Sequence, residues 1–236
     1  MAKRSTALIK KSSGRQLKPC TGAHRTDPIK DESDRKHFID WFYLQVKKAP
    51  TARRKAIADR NLMIVLTALN TAFRAEDLLQ LRVKDIDRGF ISIKENKTGK
   101  IQNFSLNGEL FQKLTDYVKR HGLERNEYLF QPHVKSVNGR PYLEPVTRQR
   151  LNKVINQATY DCGIPYSVGL HGLRKTFGYA YMKNGGKLIT LMKMYNHSNS
   201  NTTLRYVEWT IDDIQKEREA IFIDSDGVVT KAKRRR

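Results

Sequence analysis

His171-Gly172-Leu173-Arg174-Lys175-Thr176-Phe177, followed by Asn196-His197-Ser198 and Thr202-Thr203-Leu204-Arg205-Tyr206, is the stretch on which the reading of this chain turns. His171 and Arg174 stand three residues apart, so at the start of a helix they share one face. A buried phosphate suits that pairing: arginine offers a planar fork for two phosphate oxygens, and histidine adds a donor. Alone the pair says little, because an isolated His-x-x-Arg is most often a surface or capping pair. Tyr206 is one of ten tyrosines, and most buried tyrosines simply pack.

Working outward, hydrophobic spacing places helices on both sides of this stretch. Phe38, Trp41, Phe42 and Val46 fall close to helical period in a folded part starting near Asp31, and Ile57 to Ala68 reads as a second, more buried helix. From Phe90 to Leu106 the period changes: Ile91 and Ile93, then Ile101 and Phe104, flank Asn96-Lys97-Thr98-Gly99-Lys100, a β-hairpin with a glycine-containing turn. Asn107 caps a helix that runs through Arg120, with Gly122 past its end. Leu151 to Tyr160 and Arg174 to Lys183 read as helices, the latter stopped by Gly185-Gly186. Shorter helices around Leu188–Met194 and Ile211–Ala220 complete the set, with strand-like Ile221-Phe222-Ile223 after the last. No internal repeat at a fixed period is visible. The expected class is mainly α with a small antiparallel β-sheet (α+β), divided into a basic flexible arm (1–30), one folded domain (31–223) and a basic C-terminal tail (224–236).

Charge narrows the partners. The 236 residues carry a formal net charge of +21 and are 39% hydrophobic, enough to bury a sizeable core. Nucleic acid is the first reading of such charge, an anionic membrane surface the second and an acidic protein the third. Lys3, Arg4, Lys10, Lys11, Arg15, Lys18 and Arg25 precede the first acid, Asp27, and Lys231, Lys233 and Arg234 to Arg236 follow the last, Asp226. Such runs are either solvated tails or phosphate-gripping arms. No apolar stretch reaches the roughly 18 residues that span a bilayer, and no apolar segment stands behind the basic N-terminus as in a secretory signal. Cys20 and Cys162 are the only cysteines, which argues against a disulfide framework and suits a reducing, cytoplasmic compartment.

Four patterns in order resemble the tyrosine recombinase (phage integrase) family. Thr71-Ala72-Phe73-Arg74-Ala75-Glu76-Asp77-Leu78-Leu79-Gln80-Leu81, running on to Asp85, resembles its first arginine box. The stretch from His171 to Phe177 resembles the second box, and His197 and Tyr206 keep the family's nine-residue spacing. Lys97-Thr98-Gly99-Lys100 lies where the family carries its catalytic lysine turn. Any one box is common by chance; all four together, covering roughly residues 30–220, are specific. The departures are Asp77 where Glu is usual, Asn196 in place of glycine, and Lys175 where many members carry histidine. Only about 30 residues stand before the first helix, so the chain resembles a catalytic domain alone, as in the short fimbrial-switch invertases, with the arm substituting for a clamp domain.

The resemblance implies a role for each residue. Tyr206 attacks the scissile phosphodiester and leaves a 3′-phosphotyrosyl bond. Arg74 and Arg174 clamp the non-bridging oxygens of the five-coordinate transition state, His197 adds a hydrogen bond there, and Asp77 supports the first arginine from behind. His171 assists proton transfer at the tyrosine hydroxyl, and Lys97 protonates the departing 5′-oxygen, although Lys94 and Lys100 stand on the same hairpin. Tyr195 is the one nearby rival nucleophile, disfavoured because it precedes His197. With these charges supplied by side chains no cofactor or metal is expected, and His171 and His197 lack the neighbours of a zinc site. The expected partners are double-stranded DNA with paired recombination sites, three further copies in a homotetramer, and accessory DNA-bending proteins. Lys175 and the basic residues of the arm form the expected DNA-binding set, and a phage, plasmid or bacterial host is implied. Two other functions compete: a type IB topoisomerase-like relaxing enzyme and a non-catalytic basic DNA-binding protein.

Overall fold

The computed structural model describes residues 26–94, 99, 101–132, 136–137, 140–141, 144–219, 221–223 and 229–231. Lys97 and the seven cations of the arm, Lys3 to Arg25, lie outside the described residues. Helix α1 (Glu32–Lys48) starts on Asp31, whose side chain accepts from the Asp34 amide, and carries acids in its first turn and Lys47 and Lys48 in its last. Helix α2 (Ala52–Thr71) is longer than its apolar stretch suggests, because Thr51 caps it early. It is the central helix, packed against α1 and three later helices. Its buried hydroxyls are satisfied within the helix: Thr67 Oγ1 donates to Met63 O and Thr71 Oγ1 to Thr67 O.

Ala72 ends α2 in the left-handed region (φ 58°). That reversal turns the chain so that Arg74 precedes the short helix α3 (Ala75–Leu79), an element the spacing did not reveal. A 3₁₀ turn at Val83–Asp85 leads into strands β1 (Ile86–Asp87), β2 (Phe90–Lys94) and β3 (Ile101–Ser105). The expected hairpin is present and gains β1 as a third antiparallel strand, with Ile91 opposite both Ile86 and Phe104. Helix α4 (Gly108–His121) begins on the Asn107 side chain and ends on Gly122 at φ 57°, as its caps foretell. A minimal hairpin, β4 (Ser136–Val137) with β5 (Arg140–Pro141), precedes α5 (Arg148–Asp161).

Helix α6 (Gly169–Lys183) begins five residues ahead of the expected Arg174, so His171 lies on it. Its start was hidden because the cap comes from elsewhere: Asn152 Oδ1 on α5 accepts from the Leu170 amide. Then come α7 (Leu188–Tyr195), α8 (Ser200–Val207) and α9 (Ile211–Glu219). The sequence reading held no helix at α8, whose polar Asn-Ser-Asn-Thr-Thr start resembles a loop. It forms because Asn199 accepts from the Asn201 and Thr202 amides while Thr203 and Val207 are buried. Strand β6 (Ile221–Ile223) pairs with β7 (Val229–Lys231), so part of the expected tail is a strand.

Two hydrophobic clusters result. The larger joins Ile29, Phe38 and Phe42 to α2, the sheet and the faces of α4, α5 and α6. The smaller, Ala72, Tyr179, Met182, Leu191, Tyr195 and Val207, lies beneath α8, and the rings of Tyr206 and Trp209 pack on it. Gly178 allows that packing: a Cβ there would fall on the Tyr195 hydroxyl and 2.6 Å from Val207 Cγ1. The C-terminal helices therefore rest directly on α6.

Candidate active site

The ends of α2, α6, α7 and α8 converge on one cleft of about 1100 Å³ whose walls include Arg74, His171, Arg174, His197 and Tyr206. Residues 132 positions apart in sequence are thus gathered by the αL turn at Ala72, the early start of α6 and the unexpected helix α8.

The backbone carbonyl of Tyr195 organises the two arginines. Arg74 Nη2 donates to it at 3.4 Å and Arg174 Nη2 at 3.2 Å. Two guanidinium groups therefore share one oxygen. Arg174, only 4% exposed, also stacks over the Tyr195 ring at 4.6 Å and lies 5.8 Å from the Tyr206 ring centroid. Tyr195 itself is fully buried and its hydroxyl donates to Arg174 O at 2.6 Å. Burial pushes that phenol far above its ordinary pKa, the Tyr206 neighbour adding to the effect. The rival nucleophile is thus a buried, protonated prop for the second arginine.

Tyr206 points into the cleft from the last turn of α8, with its hydroxyl 3.4 Å from His171 Nδ1. The rings of His171, Tyr195 and His197 meet it edge-on at 5.1, 5.1 and 5.3 Å between centroids. Burial raises the Tyr206 pKa, while the charge and hydrogen bonding of Arg174 and the charge of Arg74 oppose the rise. Both histidines are driven toward the neutral form. For His171, at the cleft mouth, the desolvating walls act first, then Lys175, Arg174 and Arg148, and its pKa falls to about 4. For His197 burial acts first, then Arg174 and Arg74. His197 Nδ1 is fixed by Thr203 Oγ1 at 3.0 Å. It follows Asn196, which caps α7 at φ 55°; glycine suits this position and asparagine tolerates it.

The remaining expected residues fall differently. Asp77 is buried on α3, beside the first arginine in sequence. Lys175, from the expected DNA-binding set, lines the same cleft. Its side chain is 9% exposed, and its ammonium donates to Thr26 O at 2.6 Å and Glu208 Oε1 at 3.2 Å, so its charge is directed inward. Sequence reading missed Thr26, Arg148 and Asn152, which line the cleft, and Glu208, which touches Lys175. None of these four carries a sequence signal; each is placed by contacts distant along the chain. Among the described residues no group of three or more His, Cys, Asp or Glu side chains could hold a metal ion, and no helix is long and apolar enough to cross a membrane.

What this site can do is bind a phosphate-like anion between two guanidiniums and two neutral imidazoles, with a phenol oxygen beside it. Residues 44–212 match the model of the phage integrase family. The chain is 32% identical over 149 residues to the Bacillus subtilis protein named "Probable integrase/recombinase YoeC", a match covering 63% of this chain and 77% of that one. It is 25% identical over 199 residues to tyrosine recombinase XerA of Saccharolobus solfataricus, covering 77% and 63% of the two chains. Among solved structures, XerH site-specific recombinase bound to its palindromic difH substrate superposes with a TM-score of 0.64 at 21% identity, over 86% of this chain and 55% of that one. The XerA recombinase crystal structure gives 0.62 at 20% identity, over 85% and 65%. At such identity these superpositions concern the fold. The matches span between about half and three quarters of the relatives' own lengths.

Proposed function

The chain belongs to the phage integrase family, and on that premise we propose that it is a site-specific DNA recombinase with Tyr206 as nucleophile. The observation that carries the proposal is the shared Tyr195 carbonyl. Arg74 and Arg174 already converge within hydrogen-bond reach of a single oxygen, and Tyr206 lines the same cleft as both arginines. A scissile phosphate entering the cleft takes up those donors as its equatorial oxygens gain charge. Tyr206 Oη attacks phosphorus, its proton passing to neutral His171; the new P–Oη bond forms as the P–O5′ bond breaks. Lys97 protonates the departing 5′-oxygen, His197 donates to a non-bridging oxygen, and Asp77 steadies Arg74. The bond energy of the cut strand is kept in the phosphotyrosyl ester, and reversal with another 5′-hydroxyl joins strands.

The partner is double-stranded DNA carrying paired recombination sites, bound by a homotetramer with accessory DNA-bending proteins in a cytoplasmic setting. The cations from Lys3 to Arg25 lie along the DNA backbone, which such contacts position without reading its sequence. The XerH and Tn1549 integrase structures to which the fold is similar are complexes with a palindromic difH substrate and with transposon right end DNA. The topoisomerase and simple-binder readings are not favoured: the named relatives are recombinases and integrases.

The test is a nicked suicide duplex and a denaturing gel. Native protein gives a covalent protein–DNA band; Tyr206→Phe gives none while retaining duplex binding. A band that survives the substitution removes Tyr206 from the mechanism.

A further inference from the structure

Thr26–Lys30, the segment just ahead of α1, threads across the site rather than trailing from it. The Asp27 amide donates to Ser167 O at 2.9 Å, and the Ile29 amide to Thr176 Oγ1 at 2.8 Å. Ile29 is fully buried. The segment crosses α6 between His171 and Arg174, so closely that a Cβ on Gly172 would lie 2.7 Å from Asp27 O. The glycine between those two site residues is therefore where the strap passes.

The strap also reaches the nucleophile's helix. Lys175 Nζ donates both to Thr26 O at 2.6 Å and to Glu208 Oε1 at 3.2 Å. Lys30 Nζ donates to Glu208 O at 2.6 Å. Glu208 is the residue that stops α8, in the left-handed region at φ 58°, two positions beyond Tyr206. Such a conformation is unfavourable for a glutamate and persists where neighbours enforce it. Here two lysines hold it, one by side chain and one by backbone. The Lys175 and Glu208 side chains are 9% and 16% exposed, so the pair is shielded from water and sensitive to geometry.

We infer that Lys175 and Glu208, tied together with the strap at residues 26–30, are positioning residues that set Tyr206 against the arginine clamp. This rests on the proposed strand-cleavage role of Tyr206. Lys175 lines the cleft, but its ammonium is engaged by Thr26 O and Glu208 Oε1 and lies 5.8 Å from the Tyr206 ring centroid, so it acts through Glu208 and the helix end. An aryl oxygen displaced by about 1 Å loses on the order of 10²-fold in rate. Lys175 has a second effect that a packing residue lacks. The charged and titratable groups around His171 are Lys175 and Arg174 on α6, Arg148 on α5 and Tyr206 on α8. After the desolvating walls, Lys175 is the foremost of those that keep the imidazole neutral.

Removing one member of a shielded pair strands the other charge, so the informative variant is Lys175→Met with Glu208→Gln, which removes both. Its cleavage of the suicide duplex is expected to fall on the order of 10²-fold with duplex affinity retained, and the acid limb of its rate–pH profile moves to higher pH. Glu208→Gln alone slows cleavage but leaves that limb in place, since Lys175 keeps its charge. Lys175→Arg, which can still bridge Thr26 and Glu208, recovers much of the rate. If native protein cleaves and the double variant matches it in rate and profile, the positioning role is wrong and the functional reading stands. If native protein forms no covalent product, the functional reading falls and this role falls with it.

Discussion

One charged cluster sits along helix α2 and another just beyond its end, and the two differ in what their cations surround. At the first, Asp59 accepts from Arg120 Nη2 at 3.1 Å and lies 2.8 Å from His121 Nε2. Arg60, 2% exposed, gives its guanidinium to Asn61 Oδ1 and Gln131 O. Burial works to raise the Asp59 pKa, but hydrogen bonds from His121 and Arg120 outweigh it and hold the carboxyl below its usual range. Roughly 20 Å along the helix, Arg74 and Arg174 converge on a neutral carbonyl and on histidines that stay uncharged. Cations around a carboxylate complete a fold. Cations around neutral groups leave a field that an incoming anion relieves.

The comparison breaks first at Arg174. Arg174→Lys keeps the charge but loses the fork that serves the shared oxygen. Cleavage should fall by about 10²–10³-fold, or about 2.7–4 kcal/mol of barrier, with the melting temperature little changed. A rate within tenfold of native would show that charge alone suffices.

Asp59→Asn should do the reverse. It leaves Arg120 and His121 without their carboxylate and should cost about 2 kcal/mol of stability, below the roughly 3–5 typical of fully buried pairs, because the Arg120 side chain is 51% exposed. Below the melting transition, cleavage should match native. A cleavage defect at full folding would mean that α2 couples its two ends.

Acid separates the two clusters in a second way. The Asp59 pKa is lowered, so its stabilisation is present above the ordinary value of 3.8 and lost as pH falls through the lowered one. His171 titrates near 4 instead of 6.5, so its contribution is full above 6.5 and declines between those values. Free protein thus loses stability on acidification. A phosphate in the cleft favours the imidazolium forms, so affinity for a short duplex should rise over the same interval. Fluorescence anisotropy beside thermal unfolding, from pH 4.5 to 7, checks both directions; flat or falling affinity would place the phosphate away from His171 and His197.

The smallest expected effect is Thr203→Val. It removes the hydroxyl beside His197 Nδ1 and should slow cleavage about fivefold, about 1 kcal/mol. No change would mean that the ring is held by its contacts with Tyr195 and Tyr206 alone.

Sequence showed the elements whose signals are local. The hairpin at 90–105 and α4 announce themselves through period and caps, and the structure keeps both. The family boxes named five residues that meet in one cleft. Hidden were elements whose cause lies far along the chain. Helix α6 takes its cap from Asn152, and α8 has a polar start and folds by burying Thr203 and Val207. Composition reveals the charge of Lys175 but not its partner: Glu208, 33 positions away, which pairs with it at the edge of the cleft.

The shared carbonyl of Tyr195 has a thermodynamic consequence for recognition. Each arginine side chain carries about 2 kcal/mol of rotamer entropy, most of it ordinarily lost when a ligand arrives. Here the fold itself holds two guanidiniums on one backbone oxygen, so much of that loss occurs during folding. Exchanging a fixed carbonyl for a phosphate oxygen then requires little new ordering of the clamp. On the proposed function, selectivity among phosphodiesters rests on how the DNA backbone is presented to an already rigid pair, with little adjustment of the pair to the DNA.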